Sequence, residues 1–411
     1  MAPDRDAPPA KTWLNRTVIG AGVTSFLADV GYEMAAAALP NFLLALTPSA
    51  APTALGLIEG TADAVSNFAK LGTGYVGDRI GRRKPFVVAG YALTGVCHLF
   101  WVFATGWPLI FIGKVLGWFG KGVRGPLRNA ILADAVSRGD HGKAFGLHRA
   151  ADTAGAVVGP LVGAGLLAAL TPLWPDDATR SFRVVFLATL IPGLGSALAF
   201  ALLVKERPID RPPERKFFAA LGALPAAFRR YLVAVGVFGL GDCSRLLVVL
   251  AASELLAPSL GSAAAAWVMV LYAFHNVCQA CTSYPIGALS DRVGRRGLLV
   301  AGYALGAVVS VGVAVALATG TGSVLLVTIL LALSGVYVGI EEAIESAMTA
   351  DLVPDSSSRG TAYGVLGAVN GAGDLGASLL VGSLWLIAPP LGFGVAAGLM
   401  AVGAFLLWRV R

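Results

Sequence analysis

Apolar runs of about 20 residues, separated by short polar turns, dominate this sequence. A helix that crosses a membrane needs about 20 mostly apolar residues, and about twelve such runs can be placed along the chain. Their approximate positions are 17–47, 51–75, 86–105, 107–134, 143–170, 182–204, 230–255, 262–288, 297–318, 323–349, 360–386 and 389–408. The sequence therefore predicts an all-α integral membrane protein with about twelve transmembrane helices.

Composition and charge agree with a membrane protein. The chain has 56% hydrophobic and 13% charged residues, whereas soluble domains average about 25% charged residues. The formal net charge of +7 does not indicate a nucleic-acid partner, because the Lys and Arg residues form short clusters between the apolar runs. These clusters alternate with uncharged loops, except that the loop between the fifth and sixth runs contains Asp176, Asp177, Arg180 and Arg183. We therefore expect a multi-pass protein of the inner (plasma) membrane with both termini cytoplasmic.

One polar turn occurs twice with nearly the same residues. GYVGDRIGRRKPFVVAGYAL begins at Gly74, and GALSDRVGRRGLLVAGYAL begins at Gly287. A second pair of matching segments, ILADAVSRGDHGKAFG and MTADLVPDSSSRGTAYG, begins at Ile131 and Met348. Such repeats indicate two halves of one design. The segment KERPIDRPPERK has the composition of a solvated linker, so we predict a bundle over 1–204, a cytoplasmic linker over 205–229 and a second bundle over 230–411.

The repeated turn resembles the loop between the second and third helices of major facilitator superfamily (MFS) transporters. The resemblance implies two pseudo-symmetric six-helix bundles, a transporter rather than an enzyme, and no cofactor. The pattern is carried by Gly74, Asp78, Arg79, Gly81, Arg82 and Arg83 in the first copy, and by Gly287, Asp291, Arg292, Gly294, Arg295 and Arg296 in the second. The cytoplasmic gate that we predict comprises Gly74, Asp78, Arg79, Arg82, Arg124, Arg128, Asp134, Asp291, Arg292 and Arg295.

Ionisable residues within the apolar runs are the candidates for proton coupling and for the substrate cavity. Burying a charge in a membrane costs about 2.5–3.5 kcal/mol even on the lenient insertion scale, so such residues are functional candidates by default. The predicted set comprises Asp29, Glu33, Glu59, Asp63, Lys114, Asp242, Arg245, His275, Glu341, Glu345 and Asp374.

Two pairs of carboxylates are each one helical turn apart. Asp29 and Glu33 form the first pair, and Glu59 and Asp63 form the second. Carboxylates that share one helix face in a low dielectric do not both ionise easily, as a proton-coupled carrier requires. The alternative is that these groups form structural ion pairs between helices.

The fifth apolar run contains a glycine pattern that resembles the signature of proton-driven MFS exporters. Glycines four residues apart allow close helix packing, and a proline permits bending, so the alternative function of this pattern is packing alone. The residues that we predict to bend this helix are Gly146, Gly155, Gly159, Pro160 and Gly163; Ala164 replaces the final glycine of the family's pattern.

These features predict a secondary transporter that works by alternating access and exports a cationic or amphipathic small molecule in exchange for protons. An alternative is copper uptake, as in one MFS branch, but one turn after His275 this chain has Gln279, where that branch has Met. We therefore assign no metal site. A transporter-like receptor is a third hypothesis. The expected partners are the substrate, protons and the lipid bilayer, and we expect a monomer.

Overall fold

The structure is a computed structural model, and it describes residues 13–77, 82–137, 140–206, 224–353 and 356–410. All regular secondary structure in these residues is helical. The α-helices are α1 (Arg16–Leu46), α2 (Ala51–Gly77), α3 (Lys84–Val96), α4 (His98–Val102), α5 (Trp107–Asp134), α6 (His141–Leu170), α7 (Ala178–Ala188), α8 (Leu190–Leu203), α9 (Ala226–Gly239), α10 (Arg245–Leu260), α11 (Ala264–Val293), α12 (Arg295–Thr319), α13 (Val324–Leu352), α14 (Ser356–Leu384) and α15 (Pro389–Arg409).

Each of the twelve predicted spans corresponds to one helix or to one interrupted pair of helices. The pairs are α3 with α4, α7 with α8, and α9 with α10. Eight helical stretches in the described residues are long and apolar enough to cross a membrane by length and composition alone. Helices α1, α2 and α5 are not among the eight, but their 31, 27 and 28 residues also suffice to span a bilayer. The predicted all-α membrane fold is thus confirmed.

Glycines bring α6 into close contact with α1. A Cβ added at Gly159 would lie 2.5 Å from the carbonyl oxygen of Val30, and one at Gly155 would collide with the carbonyl oxygen of Phe26. At Gly163 the nearest atoms belong to Met34 and to Met269 of α11. Three of the predicted glycines therefore act through packing, whereas Gly146 has no such neighbour within 4 Å. Pro160 lies inside α6, which continues through it.

The two halves of the repeat meet mainly through α2 with α14 and through α6 with α11. Near one end of α2, a Cβ at Gly60 would lie 2.9 Å from the Cα of Leu375. Nearer the other end, a Cβ at Gly364 would lie 2.5 Å from the Cδ2 of Leu71. Helices α2 and α14 are thus packed along much of their length. The predicted linker lies largely in residues 207–223, outside the described residues.

The face of the bundle that carries Arg16 and Arg409, here called the basic face, holds the repeated turns. Arg83 pairs with Asp134 at 3.1 Å in the first half, and Arg295 pairs with Asp351 at 3.0 Å in the second. Each pair ties the start of one span to the end of the span after it. Two further predicted gate residues, Arg82 and Arg292, are exposed, and Gly74 lies within α2. Asp78, Arg79 and the side chain of Asp291 lie outside the described part of the chain.

A short loop on the basic face joins α5 to α6. There Asp140 accepts hydrogen bonds from Lys143 and Ser137, both at 2.9 Å. These two bonds, that from Lys143 first, hold the pKa of Asp140 below its ordinary value. The loop therefore keeps this negative charge at neutral pH.

Candidate transport site

A buried ion pair joins α2 and α5 at the centre of the first half. Lys114 Nζ lies 2.6 Å from a carboxylate oxygen of Glu59, and the two side chains are 0% and 6% exposed. The same ammonium lies 3.6 Å from the ring centroid of Trp118. Glu59 also accepts a hydrogen bond of 3.3 Å from the hydroxyl of Ser244, which belongs to the second half. Both charges are therefore compensated inside the protein.

Of the other three carboxylates of α1 and α2, two accept hydrogen bonds from aromatic side chains and one has no partner among the described residues. Asp63 accepts a 2.8 Å hydrogen bond from the indole N–H of Trp118. Glu33 accepts one of 2.8 Å from the hydroxyl of Tyr272 on α11 and so connects the two halves. Within the described residues, Asp29 has neither a hydrogen bond nor an ion pair for its side chain. The four carboxylates of these two pairs thus lie in four different environments.

Two carboxyl groups of the second half face each other. Asp242, in the break between α9 and α10, and Glu341, on α13, lie within hydrogen-bonding reach of each other. The hydroxyl of Tyr337 donates to Asp242 Oδ1 at 3.0 Å. In the described residues no Lys or Arg nitrogen lies within 4.0 Å of either carboxyl group. This pair is not neutralised by any cation in direct contact.

Glu345, one turn after Glu341, is buried and fully hydrogen-bonded. It accepts hydrogen bonds from the hydroxyl of Tyr303 and, at 2.8 Å, from the amide of Asn370. Tyr231 bonds its backbone carbonyl oxygen at 3.2 Å. The side chain is therefore held in one position by neutral donors.

A cavity of 490 Å³ lies beside this acidic cluster. Glu341, Glu342 and Glu345 line it, together with Asn370. On its rim Arg149 of the first half pairs with Glu342 at 2.9 Å. The charged side chains of the cavity wall are thus mainly acidic, and the cavity lies where α6, α11, α13 and α14 meet.

The two halves place opposite charges at equivalent positions. Asp134 and Asp351 are equivalent in the repeat, and the residues six positions before them are Arg128 and Glu345. Each bonds the tyrosine of its own AGYAL segment: Arg128 donates to the hydroxyl of Tyr91 at 3.3 Å, and Glu345 accepts from that of Tyr303.

A second pair of equivalent positions shows the same inversion of charge. Arg124 and Glu341 lie ten residues before Asp134 and Asp351. The guanidinium of Arg124 lies 4.0 Å from the ring centroid of Tyr91 and is buried. The predicted gate residues Arg124 and Arg128 are therefore packed inside the first half.

The remaining predicted residues are distributed over the second half. His275 is buried, its Nδ1 lies 3.1 Å from the carbonyl oxygen of Leu331, and its Nε2 has no hydrogen-bond partner. Asp374 on α14 is partly buried, and Asp63 and Lys70 of the first half are among the charged groups that influence it electrostatically. Among the described residues, no group of three or more His, Cys, Asp or Glu side chains could hold a metal ion.

Sequence reasoning missed the neutral partners of the embedded charges. These partners are Trp118, Ser244, Tyr272, Tyr303, Tyr337 and Asn370. A signal for Tyr303 was present, because the AGYAL segment containing it is repeated around Tyr91. The other partners come from distant spans and leave no local pattern.

Two repeated bundles of membrane-length helices with a charged cavity at their junction define a secondary transporter. The sequence profile of the Major Facilitator Superfamily matches residues 21–241 and 233–411. This chain belongs to that superfamily.

Known proteins agree with this assignment. An uncharacterized MFS-type transporter of Methanocaldococcus jannaschii is 30% identical over 394 residues, which cover 96% of this chain and 94% of that protein. A multidrug resistance protein B homolog of Mycobacterium tuberculosis is 29% identical over 210 residues, which cover 51% of this chain and 33% of that protein. The crystal structure of a nucleoside transporter has the same fold, with a TM-score of 0.76 at 13% identity, and covers 96% of this chain and 99% of that one.

Proposed function

We propose that this chain is a proton-coupled exporter that moves an amphipathic compound with a positive group across the plasma membrane. The bundles over 1–204 and 230–411 rock about the cavity between them as alternating access requires. Both termini lie in the cytoplasm, so export runs from the basic face to the opposite face. The protein acts as a monomer and without a cofactor.

The contact between Asp242 and Glu341 carries this proposal. Two carboxyl groups within hydrogen-bonding reach inside a membrane are not both ionised, so the pair holds a proton at neutral pH. The charged and titratable groups with the largest influence on the two carboxyl groups are Arg245, Tyr337, Glu342, Glu345 and Asp374. Arg245 is the only cation in this set, and it does not contact either carboxyl group.

Exchange follows from the place of Glu341 in the cavity. Because Glu341 lines the cavity wall, a positively charged group that enters competes with the proton for the same carboxylates. Binding of substrate and binding of proton then oppose each other, which is the thermodynamic requirement of an antiporter. Mutual exclusion couples the inward flow of protons to the outward flow of substrate.

Two observations support export rather than uptake. The glycines of α6 fit the pattern that resembles the exporter signature, and three of them pack α6 against α1. A partial relative carries the name of a multidrug resistance protein.

The proposal is tested in proteoliposomes with an imposed pH gradient. The probes are rhodamine 123, a lipophilic cation, and rhodamine 110, its free acid. We expect gradient-driven accumulation of at least one probe, and we expect Asp242→Asn and Glu341→Gln each to abolish it, because neither variant can exchange a proton at the pair. The protein should remain folded, since an amide of the same shape retains the hydrogen bonds.

Glu254→Gln is the matched control. Glu254 lies on α10 close to Trp385, and it does not line the cavity. This variant should accumulate the probe at the wild-type rate. Accumulation of neither probe, or full accumulation by both Asp242→Asn and Glu341→Gln, would refute proton coupling through this pair.

A further inference from the structure

The seventh span is interrupted in the interior of the protein. Helix α9 ends at Gly239, and α10 begins at Arg245. Ser244 caps α10 by accepting a hydrogen bond from the backbone N–H of Leu246 at 3.3 Å. Its own backbone N–H donates to the hydroxyl of Ser378 at 3.0 Å, and its hydroxyl donates to Glu59. The start of α10 is thus fixed between the two halves.

Arg245 projects from this helix start without a partner. Within the described residues, no carboxylate lies within 4.0 Å of its guanidinium and no hydrogen bond joins it to another residue. By the same criterion Lys114 and Arg149 are each paired with a carboxylate. The side chain is partly buried, and an unpaired cation at such a depth is costly.

The acidic groups whose charges act on Arg245 already have other partners. The charges that act on it include Glu33 and Glu342. Glu33 accepts its hydrogen bond from Tyr272, and one oxygen of Glu342 accepts from both Arg149 and Gln279. Glu342 also lines the 490 Å³ cavity, which Arg245 does not line. Arg245 lies near that cavity because it follows by three residues Asp242, which is within hydrogen-bonding reach of Glu341 on the cavity wall.

The region beside the cavity therefore has a positive pole. The guanidinium of Arg245 adds to the partial positive charge at the N-terminus of α10, and the two together attract an anion. The cavity wall that carries Glu341 and Glu345 attracts a cation. A ligand that satisfies both the positive pole and this wall carries both charges.

We propose that the transported compound is zwitterionic and that Arg245 binds its acidic group, a carboxylate or a similar anion. Its positive group faces Glu341 on the acidic wall. This inference deepens the proposed function and relies on it for transport, whereas binding at Arg245 requires no proton gradient.

The test compares rhodamine 110 with rhodamine 123, which differ only by the methyl ester that removes the negative charge. Binding to the detergent-purified protein is measured by fluorescence polarisation. We expect the acid to bind about tenfold more tightly than the ester, as a charge-assisted hydrogen bond implies. Arg245→Ala should remove this difference by weakening the acid alone, and Arg245→Lys should retain part of it.

A second measurement covers the case in which the rhodamines fit poorly. Millimolar benzoate should raise the unfolding temperature of the wild type more than benzamide does, and Arg245→Ala should abolish the excess. Equal affinity for acid and ester, together with no specific effect of benzoate, would overturn the assignment. So would an acid preference that survives in Arg245→Ala.

The same variants separate this inference from the proposed function. Asp242→Asn should lose accumulation in proteoliposomes but retain the preference for the acid in detergent. If instead rhodamine 123 accumulates with the gradient while the acid shows no Arg245-dependent binding, proton-coupled export stands and the zwitterionic substrate is wrong.

Discussion

At the scale of single residues, the pair of Glu59 and Lys114 differs in kind from the pair of Asp242 and Glu341. The first pair is compensated, because a carboxylate faces an ammonium at 2.6 Å. The second places two acids together, and no cation of the described residues is in contact with them. The first pair is therefore suited to holding α2 against α5, and the second to exchanging a proton.

The role of the first pair predicts a non-additive effect on stability. Glu59→Gln or Lys114→Met alone leaves one buried charge without its partner and should cost about 3–5 kcal/mol. The double variant removes both charges and should recover most of that loss. Unfolding of the purified protein, followed by tryptophan fluorescence, measures all four free energies. Additive losses in the double variant would show that the two side chains act independently.

The charged residues of the site could be predicted from the sequence, but their partners could not. An ionisable residue in an apolar run stands out by itself, as Asp242 and Glu341 do. Whether it meets a cation, a tyrosine or a second acid depends on which distant spans pack together. The pairing of Glu59 with Lys114 is one of two alternatives that the residues leave open, and no pattern in the sequence marks Tyr337 and Tyr272 as donors.

At the scale of elements, close packing of α6 on α1 depends on glycines that face carbonyl groups. Gly159 approaches Val30 so closely that even a methyl group would have to displace the backbone. Gly165, on the same helix, is exposed and has no neighbouring atom within 4 Å of an added Cβ. Two glycines of one helix thus have opposite tolerance to substitution.

This contrast gives a matched pair of variants. Gly159→Ala should separate α6 from α1, lower the unfolding temperature and reduce transport, because the collision is with backbone rather than with a flexible side chain. Gly165→Ala should leave both unchanged or raise stability slightly, since alanine favours helix over glycine by about 0.8–1.0 kcal/mol. Equal effects of the two variants would show that this contact is not specific.

The positions of the spans could be predicted closely, whereas the interruptions within them could not. The predicted span over 107–134 coincides with α5 (Trp107–Asp134), although α5 is not among the eight stretches that are apolar enough by composition. Proline is a poor guide to interruptions here: α1 and α6 continue through Pro40 and Pro160, while the third span breaks at Cys97 without one. The break at Cys97 lies opposite the break between α7 and α8, since His98 contacts the hydroxyl of Thr189 at 2.9 Å.

At the scale of the whole molecule, alternating access requires that α2 and α14 separate at one end while they stay together at the other. They now contact each other near Leu71 and Gly364 towards the basic face and near Gly60 and Leu375 further along. A covalent link at the first contact should prevent the basic face from opening.

Leu71→Cys combined with Gly364→Cys provides that link. Removal of the leucine relieves its contact with an added Cβ at position 364, and we expect a disulfide on oxidation. Transport should stop in the oxidised double variant and resume after reduction, while each single variant remains active under oxidation. Peptide mass spectrometry establishes the link. Undiminished transport by fully linked protein would exclude separation of α2 from α14 at this end.

In the transport cycle that we propose, the two bonds of Ser244 bear on what happens to the cargo when the bundles part. One bond reaches the charged Glu59 of the first half and contributes about 1.5–3 kcal/mol, and the other reaches Ser378 of the second half and contributes about 0.5–1.5 kcal/mol. Ser378 and α10 belong to the same half and move together, so the bond from Ser244 to Glu59 is the one that breaks. On the proposed mechanism, the loss of this single serine hydroxyl contact frees the start of α10, which carries Arg245, from the first half, and so sets the moment at which the cargo can leave.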